Sequence, residues 1–132
     1  MRPTPNRDFI ALVAAAGLGV FLHPLAAAEA AAPPAAFSRC AGCHSAQAGE
    51  NKIGPSLAGV FGRTSGSVPG YHYSAALANA KLVWDDKTLD QYLKNPNGFV
   101  HGTKMFASIP DAQIRQQLIT YLKTLQPQAA GN

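Results

Sequence analysis

Apolar residues recur at helical spacing in only a few places, and those places set the expected architecture. The clearest stretch is 111–125, where Ile114, Leu118, Tyr121, Leu122 and Leu125 share one face. Pro110 and Asp111 mark its start and Pro127 its end. A second helix is predicted from Lys87 to Asn95, with Leu89, Tyr92 and Leu93 on one side and Asn95-Pro96 as the stop. Shorter helices are predicted for Ser74 to Ala80 and for Ala35 to Ala41, the latter carrying Phe37. Nothing alternates with period two over a useful length. Lys52 to Gly70 is crowded with glycine and proline, and Asn97 to Ser108 also reads as loop. The expected class is all-α, short helices joined by long Gly-rich loops. Ordering such loops costs ~1–2 kcal/mol of backbone entropy per residue, so they need a surface to pack on. A flat apolar ring system wrapped by the loops would supply it.

The first thirty residues follow another pattern. Arg2 and Arg7 precede an apolar run from Ile10 to Leu22, followed by Pro24 and the small-residue site Ala28-Glu29-Ala30. The run is 13 residues long, whereas a spanning helix needs roughly 20. Residues 1–30 therefore read as a cleaved signal peptide, with an uncleaved membrane anchor as the alternative. No cysteine marks a lipid-anchor site and no twin-arginine signature is present, which favours export of an unfolded chain to the periplasm. Residues 31–36, with Pro33-Pro34, read as a flexible lead-in. The folded domain is expected over 37–126, with a tail at 127–132.

Composition narrows the function. From Ala31 onward nine lysines and arginines face five acids, a net of +4. The mild excess suits acidic protein surfaces or membranes. With no basic run and no basic-aromatic interleaving, nucleic acid is set aside as a partner. About 100 residues bury only a modest core, so a large cofactor at the centre would add to stability.

The chemistry gathers at Cys40-Ala41-Gly42-Cys43-His44, which holds both cysteines of the 132-residue chain. A disulfide here would close a very short loop and stabilise little. Zinc needs about four ligands, and His72 and His101 are isolated and distant. A thioredoxin-like dithiol calls for a strand-helix context that this chain lacks. Haem attachment uses every residue of the motif. The two thiols add to the haem vinyl groups, and His44 becomes the proximal iron ligand. The candidates for the opposite face are Met105, His72, His101 and Lys104. Met105 is favoured, because it lies in a polar, glycine-containing loop instead of on a helix face.

From about Phe37 to Leu125 the chain resembles the class I c-type cytochromes, the mitochondrial cytochrome c type and its bacterial periplasmic relatives. The resemblance is carried by CAGCH (40–44), GPSLAGVFGR (54–63), GYHYS (70–74), Trp84, TLDQYLKNP (88–96), GTKM (102–105) and RQQLITYLKTL (115–125). It implies one covalent haem c on Cys40 and Cys43, with His44 and Met105 as axial ligands. It further implies that the Pro55 carbonyl orients the His44 imidazole, and that Arg63, Tyr73, Trp84 and Thr103 contact the haem propionates. Tyr92 would place its phenol beside the methionine sulfur. The implied function is one-electron transfer, iron(III)/iron(II), without enzymatic turnover of a small-molecule substrate. The implied partners are redox proteins: a membrane oxidoreductase, a terminal oxidase or a periplasmic dehydrogenase, met by a monomer. A peroxidase-like enzyme and a permanent haem subunit of one larger complex are the rivals.

Several positions depart from the family pattern. Phe37 comes one position later than the usual aromatic, which leaves its packing near Tyr121 open. One residue is missing after Met105, which would put Phe106 beside the haem edge. The lysines common around that edge are thinned to Arg39, Lys52 and Lys104. Docking is therefore expected to lean on apolar contact around Phe106 and Ile109. His101 stands where a proline is usual. It is expected to be a solvated loop residue in the native state, and a competitor for the iron once raised pH or mild denaturant frees Met105.

Overall fold

The computed structural model describes residues 31–125 and 127. The signal-peptide reading of 1–30 and most of the 127–132 tail lie outside the described residues. A 3-10 turn, Ala35–Phe37, runs directly into α1, Ser38–Ala41. Then follow α2, Ala75–Ala80; α3, Asp86–Lys94; α4, Pro96–Phe99; and α5, Ala112–Thr124. No strand occurs among the described residues, and the sole bridge pairs Thr64 with Val83.

The helix starts follow from local polar chemistry. Asp85 accepts from the Thr88 amide at 2.7 Å while the Thr88 hydroxyl accepts from the Asp85 amide at 2.9 Å, a reciprocal cap for α3. Ser74 and Asp111 cap α2 and α5 in the same way, each accepting from the amide three residues on. Ser74, Asp111 and Leu125, expected inside helices, thus prove to be caps.

One loop expectation is corrected. Asn97 to Ser108 was to be irregular throughout, yet its first residues belong to α4. Pro96 ends α3 because it has no amide hydrogen to donate, but its fixed φ suits the first position of a new helix. The Asn95 side chain caps that restart by accepting from the Gly98 amide at 3.0 Å. The stop signal was also a start signal.

The core lies where α3 crosses α5. Leu89, Tyr92 and Leu93 meet Leu118, Ile119 and Leu122, and all six are buried. The N-terminal turn closes on α5 despite the shifted aromatic: the Phe37 and Tyr121 rings meet edge-to-face at 4.7 Å between centroids. The 54–63 loop is fastened to the end of α5, where the Gly59 amide donates to the Leu125 carbonyl at 2.5 Å. Gly66, at φ +73, lies so close to α2 that a Cβ there would sit 2.7 Å from the Ala78 Cα.

The helical pattern of α5 does not reveal Arg115, which is only 5% exposed. Its guanidinium donates to Asp90 at 2.7 Å and to the Ile109 and Pro110 carbonyls at 3.0 and 2.6 Å. It thereby ties α3, α5 and the end of the 100–110 loop. Arg115→Ala should cost about 2–3 kcal/mol, since two carbonyls and a carboxylate lose a charged donor. Chemical denaturation of the two proteins measures the difference, and a change below ~0.5 kcal/mol would contradict this role.

Candidate haem site

A cavity of about 430 Å³ opens beside the α3–α5 core. All ten residues expected to form the site line it: Cys40, Cys43, His44, Pro55, Arg63, Tyr73, Trp84, Tyr92, Thr103 and Met105. The remaining wall is mainly aliphatic or aromatic, including Leu57, Val60, Leu77, Leu89, Leu93 and Leu122. Two helices and the segments that connect the elements bring these residues together, Trp84 from just before α3. Helix α1 and the turn after it supply the cysteines and His44. The 54–74 loops supply Pro55, Arg63 and Tyr73. Helix α3 supplies Tyr92, and the segment between α4 and α5 supplies Thr103 and Met105.

His44 is held in one orientation. Its Nδ1 donates to the Pro55 carbonyl at 2.7 Å. On the other side Gly54 presses against the ring, since a Cβ there would collide with Cε1 and lie 2.6 Å from Nδ1. Burial pushes the His44 pKa below its ordinary value, opposed in part by the bond to Pro55. That shift favours the neutral imidazole, and with Nδ1 donating to Pro55 it is Nε2 that is left to carry the lone pair a metal would take. The two thiols differ: Cys40 is half-buried and Cys43 exposed, and desolvation raises the Cys40 pKa.

The Met105 segment is fixed from three directions. The Tyr92 hydroxyl and Thr103 Oγ1 share a buried hydrogen bond of 2.6 Å. The Asn97 side chain accepts from the Gly102 amide at 3.0 Å, and Gly102 turns the chain at φ +89. The Lys104 ammonium donates to the His72 carbonyl at 2.9 Å, joining this segment to the 70–74 loop. Tyr92 thus reaches Thr103 two residues before the methionine, a contact the sequence does not state.

The polar groups of the wall are similarly anchored. Arg63 donates to the Ala58 and Ser56 carbonyls at 2.8 and 2.9 Å, and burial draws its pKa down while the nearby Tyr73 acts the other way. The Tyr73 hydroxyl accepts from the Val68 amide at 3.4 Å, and burial raises its pKa. Trp84 is pinned by backbone bonds to Gly62 and Arg63 and lies 5.0 Å from the Tyr92 ring. Sequence reasoning passed over Tyr71 as part of the wall, although it packs edge-to-face on Tyr73 and its hydroxyl donates to the Ile53 carbonyl at 2.7 Å. Its place two residues before Tyr73 was the available signal.

At the cavity mouth two expectations separate. Phe106 lines the cavity and is 86% exposed, beside the likewise exposed Ile53 at 79%. Ile109 is 4% exposed, its amide bonded to the Leu93 carbonyl. It belongs to the core and cannot form part of a docking surface. His101 is exposed at the turn before Gly102.

The residues suit a haem on chemical grounds. Two thiols and an oriented neutral imidazole come from one short segment, a soft thioether comes from another, and the wall between them is apolar with a few anchored polar groups. Comparison with known proteins agrees. Residues 30–126 match the family model described as cytochrome c. The chain belongs to the cytochrome c family. It is 53% identical over 90 residues to cytochrome c of Euglena viridis, covering 67% of this chain and 88% of that protein. It is 46% identical to cytochrome c2 iso-2 of Magnetospirillum fulvum, covering 71% and 98%. Among solved structures, cytochrome cH from Methylobacterium extorquens superposes with a TM-score of 0.63 at 42% identity, covering 67% and 91%. Cytochrome c2 from Rhodospirillum centenum superposes with a TM-score of 0.67 at 33% identity, covering 70% and 94%. As a member of this family the protein is an electron carrier with one covalently attached haem c. The all-α reading holds with it.

Proposed function

We infer that Cys40 and Cys43 would hold the haem as thioethers, each thiol adding across a vinyl group without net oxidation, and that His44 Nε2 and Met105 Sδ would be the protein's ligands to its iron. The observation that carries this reading is the convergence of all ten residues on one apolar cavity. The bound haem supplies an iron that cycles between the +3 and +2 states. The chain's own part is to orient His44 through Pro55, to hold Met105 through Thr103, Asn97 and Lys104, and to keep water from most of the ring. Arg63, Tyr73, Trp84 and Thr103 are placed to receive the propionates. With His44 and Met105 both given to the iron, no position on it would remain for a substrate, which supports reading the protein as a carrier and not as an enzyme. An optical spectrum of the purified protein, oxidised and reduced, tests the assignment. A weak red charge-transfer band in the oxidised form, lost on reduction, marks methionine ligation.

The partners are redox proteins of the periplasm, a membrane oxidoreductase, a terminal oxidase or a dehydrogenase, approached by a monomer at the cavity mouth. No helix among the described residues is long and apolar enough to cross a membrane, and residues 1–30 serve as the export signal. The mouth is bordered by Phe106 and Ile53, with the cations Arg39 and Lys104 in the cavity lining and Lys52 next to Ile53 in the chain. Two of those three ammonium or guanidinium groups already face backbone carbonyls: Lys52 lies 3.5 Å from Ala41 O and Lys104 2.9 Å from His72 O. Charge steering, which raises association rates about 10- to 1,000-fold where it dominates, is therefore weak here. Electron-transfer rates should fall less than about threefold between low and physiological salt. Stopped-flow measurement across ionic strength decides it, and a tenfold fall would show that three cations suffice.

The exposed His101 leads to a further expectation. Once Met105 is released at raised pH, the His101 imidazole, four residues away in the chain, competes for the iron. His101→Pro should hold the methionine band to a higher pH than the wild type. Equal midpoints in the two titrations would remove His101 from the exchange.

A further inference from the structure

We propose that Asn51 is a positioning residue for His44, acting through a relay of three hydrogen bonds that runs from the Pro69 carbonyl to the imidazole. The links are Asn51 Nδ2 to Pro69 O at 3.2 Å, the Ser56 amide to Asn51 Oδ1 at 3.0 Å, and His44 Nδ1 to Pro55 O at 2.7 Å. The last two links share one chemical group. The Pro55 carbonyl and the Ser56 N–H are the two ends of a single planar peptide unit. Asn51 therefore grips, from behind, the same amide that His44 grips from the front.

The orientation of the Asn51 side chain is dictated by its neighbours. A backbone N–H can only donate and a carbonyl can only accept, so Oδ1 must face Ser56 and Nδ2 must face Pro69. Each amide in the row accepts at its oxygen and donates at its nitrogen, the arrangement in which successive hydrogen bonds polarise one another. Drawing on the Ser56 N–H makes the Pro55 oxygen more electron-rich. A more basic oxygen pulls harder on Nδ1–H, which makes the imidazole a stronger donor toward a metal and favours iron(III). Ser56 is itself fixed, 2% exposed with its hydroxyl donating to the Gln47 carbonyl at 2.5 Å. Asn51 is half-buried and is not among the residues that line the cavity.

The proposal rests on His44 being an iron ligand, and the experiment separates the two. In the holoprotein, the His44 Nδ1–H resonance of the reduced form and the midpoint potential are measured for wild type, Asn51→Ala and Asn51→Asp. Loss of the acceptor in Asn51→Ala should move the resonance upfield and the potential upward. The carboxylate of Asn51→Asp accepts more strongly from Ser56 and should move both the opposite way. Loss of fastening alone would move both variants in one direction, and that result, or an unmoved resonance, overturns the relay. In the wild type, a scalar coupling across the hydrogen bond between the Ser56 nitrogen and the Asn51 side-chain carbonyl carbon is expected, and its absence overturns the relay without any variant. If the oxidised wild type shows no iron-shifted His44 ring protons, the ligand reading itself fails and the proposal with it.

Discussion

Cys40→Ala and Cys43→Ala should each leave little mature holoprotein, the largest loss expected of any substitution in this chain. The reason lies in what the wall of the cavity would face without a covalently held ring. An apolar cavity costs on the order of 24 cal/mol per Å³, so keeping about 430 Å³ open would cost on the order of 10 kcal/mol. That matches the whole stability of an ordinary domain, about 5–15 kcal/mol. Collapse would relieve the cost only by abandoning the positions of the 52–70 and 97–108 segments, which reach the core through Val60 and Val100 and otherwise rest on the cavity wall and a set of single hydrogen bonds. Pulse-labelling and haem staining of the exported protein measure the outcome. A stable apoprotein with protected amides in those two segments would contradict it.

Met105→Ala should leave the haem attached but open one face of the iron. Met105 is the one methionine besides the initiator, and its segment is fixed by the Tyr92–Thr103 bond, the Asn97 side chain and Lys104. None of those fastenings involves the methionine sulfur, so the segment should keep its course when the side chain is shortened. The thioether's removal then costs about 2–5 kcal/mol of stability as for other long apolar side chains, without loss of the fold. The oxidised variant should lose the weak red charge-transfer band and gain reactivity toward peroxide relative to the wild type. A wild type lacking that band at neutral pH would show that another group is the ligand.

The chemistry of this chain is legible in its sequence because it is carried by side chains that have few other uses. CAGCH consumes both cysteines and one histidine, and GTKM places the one internal methionine in a loop. The helical faces of α3 and α5 are legible too, since Leu89, Tyr92, Leu93, Leu118 and Leu122 repeat at the helical period and are all buried. What escapes is polar or doubly determined. Pro96 reads as a terminator because its missing N–H breaks α3, while its suitability as a first helical residue shows only once Asn95 is seen to cap α4. Arg115 has no signal in the helical pattern, and its role shows only once Asp90 and two carbonyls are brought around it. Ile109 reads as a loop aliphatic free for docking, yet the Leu93 carbonyl holds it in the core. Asn51 has no local signature, because its two partners lie five and eighteen residues away.

The contact of Phe37 with Tyr121 bears on the order in which the molecule can be completed. Closing the long stretch of chain between these two rings costs entropy that the contact has to repay. A chain emerging amino end first presents Cys40, Cys43 and His44 long before the residues of α5 that cover the neighbouring core have arrived. Until then the attachment segment has no helix against which to shut. The last residues to appear therefore act as the closing door of a site that the first residues open, and any shortening of α5 should be felt at the opposite terminus before it is felt at Met105.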